Sequence, residues 1–280
     1  MNDGPRVAGV MGWPVEHSRS PIIHRYWLER HGIAGDYIKL PVRPENLERG
    51  LRALSALGFA GCNLTLPHKE MALAIVDRVD PLARRIGAIN TVVVGADGSL
   101  EGRNTDAFGF IENLRAGAPQ WRARTGPALV LGAGGGARAA IAALLDEGIP
   151  ELYLANRGLA RADALAEAFG ERVRVVSWER RARALAGVTL LVNATSLGMT
   201  NAPSLDLPLD LLPPSATVTD LVYVPLMTPL LAAARDRGNP VVDGLGMLMH
   251  QGRPGFAAWF GVLPEVTPEL RNRVAATLLA

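Results

Sequence analysis

PALVLGAGGGARAAIAALLDE, residues 127–147, is the stretch on which the fold turns. An apolar run, Pro127–Leu131, stops at Gly132-Ala133-Gly134-Gly135-Gly136, and an alanine-rich segment, Ala137–Glu147, follows at once. That order predicts a β-strand, a tight turn and a helix. It also describes a phosphate cradle, because a helix N-terminus presents unpaired amides and glycines let a pyrophosphate approach the backbone. Gly132, Gly134 and Gly135 supply those positions, with Ala137 in the third-glycine place. A glycine-rich stretch alone is a weak signal, and a bare strand-to-helix turn competes with it.

The residues downstream favour the cradle. Strands are predicted at Glu151–Ala155, Val173–Val176, Thr189–Asn193, Thr217–Val222 and Pro240–Val242, with helices at Leu159–Phe169 and around Glu179–Leu185. The proline-rich Asn201–Pro214 reads as an ordered surface loop. About 20 residues past the glycines, an NAD-binding unit usually offers an acid to the ribose hydroxyls. Asn156-Arg157 stands there instead, with Arg161 one turn later. Arginine attracts a 2′-phosphate that an acid would repel, so the expected cofactor is NADP. The competing reading makes both arginines a solvated helix start.

Upstream, strands at Arg6–Gly12, Asp36–Pro41 and Phe59–Leu64 alternate with helices at Pro21–His31 and Glu45–Leu57, where Leu47, Leu51, Leu54 and Leu57 recur at helical spacing. Alternation of this kind predicts a mostly parallel sheet covered by helices, with functional residues beyond the carboxyl ends of the strands. Asn90–Val94 and a turn at Asp97–Gly98 precede Asn104-Thr105-Asp106 and a helix to about Ala116. Helices at Gly244–Trp259 and Pro268–Leu279 end the chain. The fold class is therefore α/β with two domains. Residues 1–110 and 245–280 form an N-terminal, mostly parallel α/β substrate domain to which the C-terminal helices return, and residues 111–244 form a Rossmann-type dinucleotide-binding domain.

Composition narrows the function classes. The 280 residues are 49% hydrophobic and 20% charged, which suits globular cores. The net charge of +2 comes from 29 basic and 27 acidic residues that are scattered, so nucleic acid is not an expected partner. No apolar run approaches the roughly 20 residues that span a bilayer, so no membrane partner is expected either. Cys62 is the single cysteine and the N-terminus lacks a signal pattern, which points to a reducing cytoplasm. Oligomeric state is left open, a homodimer included.

Two polar loops follow the early strands. In Gly12-Trp13-Pro14-Val15-Glu16-His17-Ser18-Arg19-Ser20-Pro21, Ser18 and Ser20 sit where Pro21 starts a helix. Hydroxyls there suit a small anion or polyol, although a capping role is favoured for Ser20. Asn63-Leu64-Thr65-Leu66-Pro67-His68-Lys69-Glu70 gathers an amide, a hydroxyl and an ammonium in one loop, and Lys69 is one of only two lysines in the chain, with Lys39. A lysine-carboxylate pair, Lys69 with Asp106, can exchange a proton with a secondary alcohol while its carbon exchanges hydride with a nicotinamide. His17, His24, His68 and His250 lack an acidic partner in a comparable loop, and exposed or capping roles are expected for them.

These residues, together with Gly87-Ala88-Ile89-Asn90-Thr91, Asn193-Ala194-Thr195-Ser196, Asp220-Leu221-Val222-Tyr223-Val224-Pro225 and Asp243-Gly244-Leu245-Gly246-Met247-Leu248, resemble the shikimate dehydrogenase family, in order and over nearly the whole chain. The resemblance implies reversible NADPH-dependent reduction of 3-dehydroshikimate to shikimate, a step of chorismate and aromatic amino acid biosynthesis. It implies Lys69 and Asp106 as the catalytic pair. Ser18, Ser20, Thr65, Asn90, Tyr223 and Gln251 would bind shikimate, and Asn63, counted with them, would support the Lys69 loop. NADP would lie on Gly132, Ala133, Gly134, Gly135 and Gly136, with Asn156, Arg157 and Arg161 around the 2′-phosphate and Leu221 and Gly244 near the nicotinamide. No metal is implied. Arg25 and Gly158 depart from the family's common asparagine and threonine, and no family acid is carried over near Pro81. Two rivals stand: a bifunctional quinate/shikimate dehydrogenase using NAD, and a non-catalytic dinucleotide-binding sensor.

Overall fold

A computed structural model describes residues 6–278. The chain divides into two compact units, Met1–Thr105 with Gln251–Ala280, and Asp106–His250.

The first unit is built on β1 (Arg6–Gly12), β2 (Gly35–Pro41), β3 (Phe59–Leu64), β4 (Arg78–Val79), β5 (Thr91–Val94) and β6 (Leu100–Arg103), in the order β2-β1-β3-β5-β6-β4. β1 runs parallel to β2 and β3, whereas β5 is antiparallel to both β3 and β6. The expected parallel sheet thus carries a hairpin, formed around the Asp97–Gly98 turn. Helix α1 (Ser20–His31) follows β1, and α2 (Leu47–Ala56) follows β2. Leu47, Leu51 and Leu54 of α2 pack with Met11, Cys62, Leu64 and Val92 in the core. Leu57 does not complete that stripe: the helix ends at Ala56, and Leu57 at its C-cap is 69% exposed.

Short helices α3 (His68–Met71) and α4 (Pro81–Ile86) follow β3 and β4. α4 is not among the predicted helices, although Asp80 caps it by accepting from Ala83 N at 2.7 Å and Pro81 opens it.

In the second unit, β7 (Ala128–Leu131), β8 (Leu152–Ala155), β9 (Val173–Val176), β10 (Leu190–Asn193), β11 (Thr217–Asp220) and β12 (Val241–Val242) form one sheet, ordered β12-β11-β10-β7-β8-β9. Every pairing in it is parallel. The order reverses direction between β7 and β10, which makes the ends of those strands the topological switch point. Its helices are α5 (Asp106–Gly117), α6 (Gly135–Asp146), α7 (Leu159–Phe169) and α8 (Pro229–Asp236).

Three expectations change here. α6 starts inside the glycine run, because a glycine can hold helical dihedrals as readily as turn dihedrals. The helix expected around Glu179–Leu185 is two 3₁₀ turns, Trp178–Arg180 and Arg183–Leu185. Asn201–Pro214 is the expected irregular segment with exposed residues throughout, but it is not wholly on the surface. Its prolines keep it extended while Leu205, Leu207, Leu209 and Leu212 point inward onto Leu191, Val218 and Leu231. The unforeseen α8 carries its own start signal, Thr228 accepting from Leu231 N ahead of Pro229.

Helix α9 (Leu245–Phe260) contributes its residues from Gln251 onward to the first unit, as does α10 (Pro268–Ala276). The expected end of α10, Leu279, lies outside the described residues. Trp259 of α9 donates from Nε1 to Val92 O at 3.0 Å. That approach requires Gly61, whose φ is +152° and where a Cβ would lie 2.0 Å from Val92 O and 2.3 Å from Trp259 Nε1.

Candidate active site

In the first unit, polar side chains at the ends of β3, β5 and β6 form a buried network. Asn63 is the next-to-last residue of β3, and its Nδ2 donates to Asn90 O and Thr91 Oγ1, both at 3.1 Å. Those acceptors fix the orientation of the amide, leaving Oδ1 to accept from the Tyr37 hydroxyl at 2.6 Å. Asn90 does the next join. Its Oδ1 accepts from Thr105 N at 2.8 Å, while its Nδ2 donates to Thr105 Oγ1 at 3.0 Å and Gln251 Oε1 at 3.2 Å. Asn104 N meets the Asp80 carboxylate at 3.1 Å, so Asn104 and Thr105 are both held before Asp106.

Thr65 and Lys69 are carried by the same framework. Thr65 N donates to Met11 O at 3.0 Å, and His68 N to Thr65 O at 2.9 Å. Lys69 sits in the helical turn α3, not in an open loop, and its carbonyl accepts from Ile89 N at 2.8 Å, one residue before Asn90. Its backbone is therefore fixed from two sides. Asn63 is turned into this network and serves as a support for the groups around it.

Ser18 and Ser20 exchange the roles expected of them. The N-cap position of α1 is Arg19, without a side-chain cap, and Ser20 is a buried residue of the first turn. Ser18 Oγ accepts from Ser20 N at 3.3 Å, so the capping-like contact belongs to Ser18. Burial drives the Tyr37 pKa well above its ordinary range, and the hydroxyl stays protonated.

Two histidines also differ from expectation. His68 is buried, with Nε2 at 2.8 Å from Val42 O, and burial lowers its pKa against that bond. His24 is buried and lies flat on Tyr37, ring centroids 3.9 Å apart. Neither is an exposed group. Arg25, in place of the family's asparagine, pairs with Asp36 at 2.7 Å on the surface.

The second unit presents the glycine loop at the end of β7. Gly132 has φ +104°, and a Cβ there would come within 2.8 Å of Ala194 O. At Gly134 and Gly135 nothing lies within 4 Å of the Cβ position, so the first turn of α6 is open to an approaching group. Gly136 and Gly244 both back onto Leu221, at 2.8 and 2.4 Å from their Cβ positions. The loops after β10 and β11 are tied together by Asp220. It is buried and accepts from Asn193 Nδ2 at 3.0 Å, Val222 N at 3.0 Å and Thr228 Oγ1 at 2.8 Å. Burial raises its carboxyl pKa against the pull of those donors. Leu221 and Tyr223, both half-buried, are set by this anchor.

Asn156 Nδ2 donates to Gly158 O at 2.9 Å across the start of α7. Arg157 and Arg161 are exposed there, and among the described residues neither pairs with a carboxylate. The open backbone at Gly134 and Gly135 and the two guanidinium groups fit a phosphorylated dinucleotide. Asp106 opens α5 in this unit, buried, as the residue after Thr105. Each unit thus gathers its own part of the expected residues. Tyr37, Thr105, Asp80, Asn193 and Asp220 have no role assigned from the sequence. Only Asp80, ahead of Pro81, carries a local signal.

Comparison with known proteins gives the chain its relatives. A family profile for the shikimate dehydrogenase substrate binding domain matches residues 10–92, and one for shikimate / quinate 5-dehydrogenase matches residues 119–200. A shikimate dehydrogenase (NADP(+)) of Paramagnetospirillum magneticum is 60% identical over 97% of this chain and 98% of its own length. The Thermus thermophilus shikimate 5-dehydrogenase solved with NADP(H) and shikimate superposes with a TM-score of 0.86 at 44% identity, covering 98% of this chain and 99% of that one. A quinate dehydrogenase of Corynebacterium glutamicum in complex with NAD gives 0.90 at 31% identity, with the same coverage.

Proposed function

The chain belongs to the shikimate dehydrogenase family, and from that premise we propose that it reduces 3-dehydroshikimate reversibly to shikimate with NADPH, Lys69 and Asp106 moving the proton. When bound, the nicotinamide supplies the hydride that the carbonyl carbon accepts. Lys69 holds a proton at Nζ for the oxygen as it gains charge, and Asp106 keeps the ammonium directed at it. Ser18, Ser20, Thr65, Asn90, Tyr223 and Gln251 hold the substrate. Gly132–Gly136 seat the pyrophosphate, Leu221 and Gly244 the nicotinamide end, and Asn156, Arg157 and Arg161 the 2′-phosphate. The observation that carries the reading is the Asn90 amide, which gathers Thr105, the neighbour of Asp106, and Gln251 around one side chain. A cytoplasmic location goes with it, supported by the free, buried Cys62. Among the described residues, no helix is long and apolar enough to cross a membrane.

The test is a steady-state assay following the reduced nicotinamide, with shikimate plus NADP and with quinate plus NAD. Turnover with the first pair and little with the second is expected. Comparable kcat/KM for both pairs would make the enzyme bifunctional, and turnover with neither would leave a dinucleotide-binding protein.

Two variants refine this. Ser18→Ala is expected to raise the shikimate KM about tenfold to hundredfold with a smaller effect on kcat, as for a lost hydrogen bond to a carboxylate. A lower melting temperature with unchanged kinetic constants would reduce Ser18 to a cap. Arg157→Asp is expected to abolish or reverse an NADP preference of about 10- to 100-fold, the worth of one charge-assisted contact. Because Arg157 is exposed, salt should erode the wild-type preference. Equal kcat/KM for NADP and NAD in the wild type would falsify the assignment of Arg157 to the phosphate.

A further inference from the structure

Tyr37 lies in the middle of β2, a position from which the sequence suggests only packing, yet its hydroxyl is a polar junction inside the first unit. It donates to Asn63 Oδ1 at 2.6 Å. Asn63 cannot turn away from it, since its Nδ2 is engaged by Asn90 O and Thr91 Oγ1. The Tyr37 ring has as little freedom. It is fully buried, with the His24 ring stacked on it at 3.9 Å and 7° between planes, and Trp259 6.1 Å away. A hydroxyl clamped in this way is a fixed reference point at the β3–β5 edge.

We infer that Tyr37 is a positioning residue for substrate: its hydroxyl fixes Asn63 and, through it, holds Asn90 in the orientation that binds shikimate. The inference rests on the shikimate reading above. Loss of the hydroxyl leaves Asn63 Oδ1 buried without its donor, and that unmet acceptor disturbs the amide whose Nδ2 holds the Asn90 carbonyl. A buried group that orders a ligand-binding side chain acts on affinity for that ligand. It leaves cofactor affinity alone, because the cofactor-binding residues belong to the other unit.

Tyr37→Phe removes one oxygen and keeps the ring on His24. We expect the shikimate KM to rise about five- to tenfold, with kcat and the NADP KM changed by less than about twofold. Asn63→Ser, which removes the acceptor and leaves Tyr37 in place, should raise the same KM, and the double variant should be no worse than the worse single one. Either folded variant decides the matter. A shikimate KM within about twofold of wild type, whatever the melting temperature, overturns the role, as does full additivity of the two effects. Wild-type turnover of shikimate is measured first. Its absence would overturn the substrate reading and this inference together, whereas wild-type turnover with unmoved KM in the variants overturns Tyr37 alone.

Discussion

Replacing Lys69 with alanine is expected to lower turnover about 10²- to 10⁴-fold at saturating substrate, the usual worth of one positioned proton donor. The loss should fall on kcat and spare the NADP KM, since Lys69 belongs to the first unit and the glycine loop to the second. Misfolding is a poor explanation for such a loss. The Lys69 side chain is only half-buried, and the bonds that hold α3 in place are made by backbone atoms of Thr65, His68, Lys69 and Ile89, which alanine retains. His68, the adjacent candidate, has Nε2 committed to Val42 O inside the protein. The measurement is kcat under saturating shikimate and NADP, with circular dichroism to verify the fold. Near wild-type turnover would remove Lys69 from the chemistry.

The second large effect is on stability. His24 has no hydrogen-bonding partner for either ring nitrogen among the described residues, and the groups packed around it are Trp27, Tyr37, Phe256, Trp259 and the Gly252 backbone. No charge compensates a proton there, so burial pushes its pKa down from 6.5 to about 3. The folded state binds the proton less readily than the unfolded chain. Its contribution is therefore complete above the unfolded pKa and is lost as pH falls from 6.5 toward about 3. At about 1.4 kcal/mol per pH unit the loss is on the order of 5 kcal/mol, comparable to the whole stability of many domains.

Asp36, Asp77, Asp97 and Glu101 are also held below their ordinary values, by hydrogen bonds and nearby arginines, but carboxylates act only near and below about pH 4. His68 adds in the same direction as His24. His24→Phe, which keeps a ring on Tyr37, should accordingly flatten much of the fall in denaturant-measured stability between pH 6.5 and about pH 4.5. An unchanged slope in the variant would show that another group drives the acid transition.

The difference between what can and cannot be read from the chain is one of range. β1, β3, α7 and β9 begin and end where expected, because glycines, prolines and the switch from apolar to polar residues act within a few positions. The α4 and α8 starts, Asp80-Pro81 and Thr228-Pro229, are equally local signals, each a capping residue followed by proline. Asn201–Pro214 is a loop as expected, but its inward leucines have no local signal. Proline content reports backbone shape, whereas burial of Leu205 and Leu212 depends on β10 and β11 arriving beneath them.

The same distinction runs through the candidate site. Lys69, Asn90 and Asp106 stand out because polar groups at strand ends in an α/β chain are unusual enough to notice. Tyr37 and His24 look like ordinary core residues, since nothing within ten positions of either supplies Asn63 or Phe256.

Gly61, the residue that lets Trp259 reach Val92, also sets an order of assembly on the ribosome. The two ends of that hydrogen bond are 167 residues apart, and Arg6 bonds Trp259 O across 253. The sheet of the first unit is synthesised early but the part of α9 that packs on it follows the whole second unit, so its aromatic core and Gln251 must wait for that helix. The second unit, continuous from Asp106 to His250, is complete before that moment. Nascent chains whose residues up to His250 have cleared the ribosome should present a folded second unit joined to an open first-unit sheet, and the Asn90–Gln251 hydrogen bond forms only after that.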